Sequence, residues 1–330
     1  MKDMKHWKIK ALRACRKVYR LIFNPNIINN YLFSRTDDFV EITGQKASDL
    51  IYDKIMTGAP LMIARYGEIE IKALGNVYTI RDNKTLLKKV VEFIQYKSLP
   101  FWWDEESMLA LSNNAGVFPV NNEIIQHYFE VMLNAAKDVD ILGSWQGKEV
   151  LFEKELKLAK RIKLRDIEPY YHECPWSRAL KGKKVLVIHP FAETIEKQYQ
   201  KHKVLYENKD VLPDFELTTL KAVQSIAGTQ TEFLDWFEAL ESMKEKIKKI
   251  DFDIAILGCG AYGFVLASYI KKLGKQAIHM GGPTQILFGI KGKRWDDHPI
   301  ISKFYNEHWV TPNSIEKPQG ANKVENGCYW

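Results

Sequence analysis

Short, fully apolar runs alternate along this chain with helical stretches, and that alternation limits it to a narrow set of folds. Leu61-Met62-Ile63-Ala64, Val185-Leu186-Val187-Ile188 and Ile254-Ala255-Ile256-Leu257 contain no polar residue. A strand with one face in water would alternate, so these read as strands covered on both sides. Val139–Leu142, Phe215–Thr218 and Gln276–His279 add further strands. Apolar residues recur at helical spacing over 47–56, 68–74, 85–96, 121–136, 150–161, 192–206, 232–249 and 263–273. Strands separated by helices pair in parallel through crossovers. The expected fold is therefore α/β, a mostly parallel sheet flanked by helices, Rossmann-like. It forms either one body over 46–310 or two lobes, 46–168 and 176–310, joined by the Tyr-, His- and Pro-containing stretch 169–175 as linker or lid. Residues 311–330, rich in Asn, Lys and Gly, are expected to form a loose polar tail.

Charge is distributed unevenly. Residues 1–24 hold eight lysines and arginines against Asp3 alone, which accounts for the whole formal net charge of +7. The remaining chain is neutral, which argues against nucleic acid as a partner, since its footprint would lie on the folded body. Residues 1–45 thus form a basic leader, and Met4, Trp7, Ala11, Cys15, Val18 and Ile22 give it an apolar stripe at helical spacing. Such a stripe either docks on the body or lies on an anionic membrane surface through residues 1–24. No run is long and apolar enough to span a bilayer, and the N-terminus lacks a signal-peptide core. Cys15, Cys174, Cys259 and Cys328 are scattered, without metal-ligand spacing. A soluble, cytoplasmic protein, in peripheral contact with the inner membrane face at most, is the expectation.

Ligands of open α/β sheets sit at the carboxyl ends of the strands. That rule selects three places: 65–70, 189–193, and 258–263 with its neighbour 279–284. The third is a strand running into Gly258-Cys259-Gly260-Ala261-Tyr262-Gly263 and then a helix. Glycines let backbone approach a phosphate while the helix N-terminus offers free amides. Dinucleotide-binding proteins and S-adenosylmethionine-dependent methyltransferases both use such turns. Each wants an acidic residue on the next strand, which here ends in His279. A tight turn without a ligand fits as well. In the first place, Arg65 precedes Glu68 and Glu70, two carboxylates able to share Mg²⁺ or Mn²⁺ with substrate phosphates. Taken alone, the pair also reads as a solvated helix start favoured by the dipole.

Arg65-Tyr66-Gly67-Glu68-Ile69-Glu70, directly after an apolar strand, resembles the Arg-aromatic-Gly-Asp-x-Glu pattern of the GT-D-type glycosyltransferases, a bacterial group that uses nucleotide sugars. The segment from Leu257-Gly258 through Val265-Leu266-Ala267 to Leu273-Gly274-Lys275-Gln276-Ala277-Ile278-His279-Met280-Gly281 is similar to that family's closing strand–turn–helix–strand unit. The two blocks stand in the family order and bracket about residues 60–290. Glu68 replaces the family's Asp. The resemblance implies transfer of a sugar from a UDP- or GDP-linked donor to a glycan or lipid-linked acceptor in surface-polysaccharide or glycoprotein synthesis. It assigns Glu68 and Glu70 as the catalytic, metal-binding pair. Arg65, Gly67, Asn114, His189, Gly258, Gly260, Gly263 and His279 then form the nucleotide-sugar site. Two rivals remain: another nucleotide-cofactor enzyme using the same glycine turn, and a non-catalytic polysaccharide-assembly subunit with a degenerate transferase fold. Further expectations attach to Asn113-Asn114 as sugar ligands or a helix cap. The same holds for Trp102-Trp103-Asp104-Glu105-Glu106 as carbohydrate platform or core, for Glu193 beside His189, and for Lys293-Arg294-Trp295 as a diphosphate clamp or plain surface.

Overall fold

The computed structural model describes residues 4–23, 32, 40 and 42–330. Residues 1–3 of the leader, and most of its stretch between Phe23 and Ile42, lie outside the described residues. In chain order the elements are helix α1 (His6–Phe23), helix α2 (Gln45–Met56), strand β1 (Leu61–Ala64) and helices α3 (Glu68–Arg81), α4 (Leu86–Ile94), α5 (Glu105–Ala115) and α6 (Asn122–Ala136). Strands β2 (Ile141–Ser144), β3 (Lys160–Lys163) and β4 (Lys184–His189), helices α7 (Ala192–Tyr199) and α8 (His202–Leu205), and strand β5 (Glu216–Lys221) follow. Helix α9 (Trp236–Lys248), strand β6 (Ile254–Leu257), helix α10 (Tyr262–Lys272), strand β7 (Gln276–His279) and the short helices α11 (Thr284–Leu287) and α12 (Lys293–Asp296) complete them.

All seven strands form one parallel sheet in the order β3-β2-β1-β7-β6-β4-β5. It is the expected α/β, Rossmann-like architecture. β1 pairs with β2 on one side and β7 on the other, so one sheet runs through the residues of both expected lobes. Side chains alternate along each strand. Met62, Ala64, Leu186, Ile188, Ala255 and Leu257 enter one core with α3, α5, α6, α9 and α10. Leu61, Ile63, Val185, Val187, Ile254 and Ile256 enter the other with α2 and α7. The apolar runs are explained by this double coverage. The edges are polar instead: β3 reads Lys-Arg-Ile-Lys and β5 carries half-exposed side chains, which blunts edge pairing.

Four local expectations change. The helix expected over 150–161 is a 3₁₀ turn (Gly147–Phe152) followed by turns and edge strand β3. Buried Glu149 sets that turn by accepting the amides of Trp145 and Gln146, both at 3.0 Å, with Arg161 as its ion-pair partner. The helix expected over 192–206 breaks after Tyr199, whose carbonyl is taken by the His202 ring at 2.7 Å. The stretch 169–175 is not a free linker, since Tyr170 and the following Trp176 are buried in the second core. Residues 311–330 are not loose. Buried Glu316 accepts the Glu193 and Thr194 amides at 3.0 and 3.2 Å, capping α7 from a distant segment.

Helix α1 packs on α4 through half-buried Ile9, Leu12, Arg16 and Tyr19. Arg16 stacks over Phe93 and Tyr96, and Arg13 pairs with Asp104 at 3.0 Å. This is a different face from the apolar stripe, so the stripe is not what docks the helix. No helix among the described residues is long and apolar enough to cross a membrane.

Candidate active site

Strands β2, β1, β7, β6 and β4 all end at one cavity of about 390 Å³, within the range of roughly 300–1,000 Å³ usual for small-molecule sites. The strand order explains the place. The chain goes from β1 outward to β2 and β3, then crosses to β4 and β5 on the other side. Loops at such a reversal diverge and leave a crevice at the carboxyl ends. β6 and β7 fill the sheet between the two halves and contribute their own end loops.

Nine expected site residues line this cavity: Arg65, Gly67, Glu68, Glu70, Asn114, His189, Gly258, Gly260 and His279. Gly263 does not. It sits one layer below, where an added Cβ would lie 2.3 Å from Nδ1 of His279. Its place is to let α10 pass against that buried ring. Replacing Gly263 with alanine is expected to cost about 1–3 kcal/mol, because a buried imidazole has nowhere to move. Urea unfolding reads the loss, and an unchanged midpoint would show the ring is free to shift.

Arg65 emerges from β1 with its guanidinium 5.3 Å from the Trp145 ring centroid. Among the described residues its buried Nε has no hydrogen-bond partner, and no carboxylate forms an ion pair with it. Trp145 is held by its indole N–H, which donates to the Tyr66 carbonyl at 2.9 Å. Glu68 is exposed and lies close enough to Lys148 to affect its titration. Glu70 folds back over the start of α3, where a Cβ on Gly67 would meet its carboxylate. Burial holds the Glu70 carboxyl above its usual range, with Arg65 acting against that. The acidic pair therefore faces two different cations. Among the described residues no group of three or more His, Cys, Asp or Glu is arranged to hold a metal. Glu68 and Glu70 both stand on the cavity wall, and an ion carried in with phosphate oxygens and water needs few protein ligands.

The glycine turn supplies donors. Gly258 N–H is used by Ile188 and Ala261 N–H by Ala115, but those of Cys259 and Gly260 have no acceptor among the described residues. Gly260 has φ +55°, and a Cβ there would press on the Ala115 carbonyl at 3.1 Å, so glycine is required. The same carbonyl ends α5, joining the negative end of one helix to the positive start of another.

The two histidines are buried and neutral, each pushed down to about 3: His189 by burial alone, His279 by burial and the nearby Arg65 charge. Nδ1 of His189 accepts the Phe191 amide at 3.0 Å, which places its proton on Nε2 as a donor. Nδ1 of His279 donates to the Leu257 carbonyl at 3.4 Å.

Several wall residues escape a reading of the sequence. Trp145 follows β2 and was findable by the strand-end rule. Ser225 and Gln285 carry no motif, and Tyr262 lies inside the glycine turn without being marked as a wall residue. Glu325, Tyr329 and Trp330 come from the C-terminal segment, where Arg294 stacks on Tyr329 at 4.8 Å and pairs with Glu325. Arg294 is thus on the cavity wall, as expected of a clamp, but already paired. Asn113 reaches the carbonyl of Lys323 and Asn114 Oδ1. Trp102 is core, 4.8 Å from Phe93, and buried Asp104 is spent on Arg13 and Ser107, which is the core reading of those two residues. Glu193 pairs with Lys221 outside the cavity.

No curated protein and no solved structure matches the chain. A family model described as a GT-D fold-like domain matches residues 42–287, most of the chain and every strand of the sheet. The chain belongs to the GT-D-like family, whose fold is that of glycosyltransferases working with a nucleotide-sugar donor and an acceptor.

Proposed function

We propose that the chain transfers a sugar from a UDP- or GDP-linked donor to a hydroxyl of a glycan or lipid-linked acceptor, in bacterial surface-polysaccharide or glycoprotein synthesis on the cytoplasmic side. The observation that carries this is Arg65, which makes no hydrogen bond or ion pair among the described residues and lines the cavity together with the unused amides of Cys259 and Gly260. A diphosphate is the ligand that calls for a planar guanidinium fork and a glycine-turn helix start together. The bond from the anomeric carbon to the diphosphate breaks, the nucleoside diphosphate leaves with the electron pair, and the acceptor oxygen bonds to that carbon and releases its proton to solvent water. Arg65 and the two amides take up charge as it grows on the leaving oxygens. The Nε2–H of His189 donates to donor oxygens. Glu68 and Glu70 would hold Mg²⁺ or Mn²⁺, which when bound neutralises the diphosphate.

Ligands that bind only the folded state raise its melting temperature. A panel of nucleotide sugars, each with Mn²⁺ and with chelator, should yield a shift for a UDP- or GDP-sugar that chelator removes. Glu70→Gln should lose metal-dependent turnover while the protein stays folded. Shifts only with NAD or S-adenosylmethionine would move the chain to the rival enzymes. No shift at all would favour the non-catalytic subunit.

A further inference from the structure

Helix α1 runs for 18 residues without burying one of them. Most of a helix's stability in a protein comes from packing an apolar face. Here the docked face is the one bearing Ile9, Leu12, Arg16 and Tyr19, and docking relies on Arg13 and Arg16 as much as on apolar contact. Trp7, Ala11, Cys15, Val18 and Ile22, spaced by three or four residues, line a second face that nothing described covers. Trp7 is 65% exposed, Val18 51% and Ile22 65%. A water-facing helix surface would be polar at these positions.

The charge around the stripe identifies what covers it. Lys8, Lys10 and Lys17 are exposed beside it, and α1 has no acidic residue. An apolar stripe with a tryptophan, flanked by lysines and free of acids, matches the boundary of an anionic bilayer, where apolar side chains enter the acyl region and ammonium groups meet phosphates. A second copy of this chain would bring the same lysines against each other. The neighbouring α4 leaves Leu86 and Leu87 exposed as well. We infer that α1 is a membrane-surface anchor that lays its Trp7–Val18–Ile22 face on anionic lipid. This inference does not depend on the reaction in the cavity.

The full chain is sedimented with phosphatidylcholine vesicles with and without phosphatidylglycerol. Binding to the anionic vesicles alone, weakened by salt, is expected. The triple variant Trp7→Glu, Val18→Glu, Ile22→Glu should lose at least about tenfold in binding, because three insertion contacts become repulsive. These side chains touch little protein, so its melting temperature should hold. If it falls, the variant Lys8→Glu, Lys10→Glu, Lys17→Glu decides by the same readout. Absence of wild-type binding to anionic vesicles overturns the inference, as does equal binding by the variants. So does a wild-type dimer in the analytical ultracentrifuge that the triple variant converts to monomer.

Discussion

Replacing Arg65 with alanine is expected to lower kcat/KM for the sugar donor by about a hundredfold or more, the usual cost of deleting a charged donor aimed at developing negative charge. The folded protein should persist, because Arg65 makes no hydrogen bond or ion pair among the described residues whose loss would open the core. Its removal is still felt by the carboxyls. Glu70 and Glu168 both lie within its field and would rise further, taking up protons rather than standing as bare charges. Arg65→Lys separates charge from geometry. A lysine restores the positive charge but not the planar fork, so partial recovery of donor affinity with poor recovery of kcat is expected. The melting-temperature shift given by donor reads binding independently of turnover. If Arg65→Ala keeps the full shift, the diphosphate does not lie on this guanidinium.

Arg65 also shows how much of the site could be read in advance. Its strand, its aromatic neighbour and the acids that follow are local, and local patterns survive in sequence. The double apolar runs likewise reported a sheet covered on both faces, which the two cores confirm. Lys160–Lys163 was illegible because an edge strand keeps its charges in water and shows no apolar pattern. The C-terminal segment was misread for a related reason. Its polarity suggested a tail, but Glu316 is polar because it caps another helix, and Tyr329 and Trp330 reach a wall begun by residues far earlier in the chain. Gly263 matched a phosphate-turn pattern, yet the glycine is there for a buried imidazole. A motif gives the residue type that a backbone path requires, and it does not say which neighbour imposes the requirement.

Glu168→Gln should stabilise the protein at pH 8 and leave it nearly unchanged at pH 4.5. Burial lifts the Glu168 carboxyl to about 7 from an unfolded value of 4.5, against the lowering effect of its Tyr170 hydrogen bond (2.5 Å) and of Arg65. The folded state therefore prefers this carboxyl neutral. Its favourable contribution is complete below 4.5 and is lost as pH rises through 7, which for such a shift amounts to about 3 kcal/mol. Gln keeps the neutral form at every pH, so the gain appears only on the alkaline side. The histidines act in the opposite direction. His189 and His279 fall to about 3 from 6.5 on folding. Their contribution is present above 6.5 and drains away as pH falls, when the unfolded chain binds protons the folded one refuses. Below neutrality Glu168 offsets part of that drain, since the folded chain then holds a proton the unfolded one has released. Removing the offset should steepen the acid limb between about pH 5 and 6.5 by about 1.4 kcal/mol per pH unit, one proton's worth. Glu70 and Glu149 are raised too and oppose the histidines in the same sense, so the comparison is variant against wild type at each pH by urea unfolding. A gap of equal size at pH 4.5 and pH 8 would mean that Glu168 stays ionised in the fold. Its charge would then compete with a donor diphosphate for Arg65.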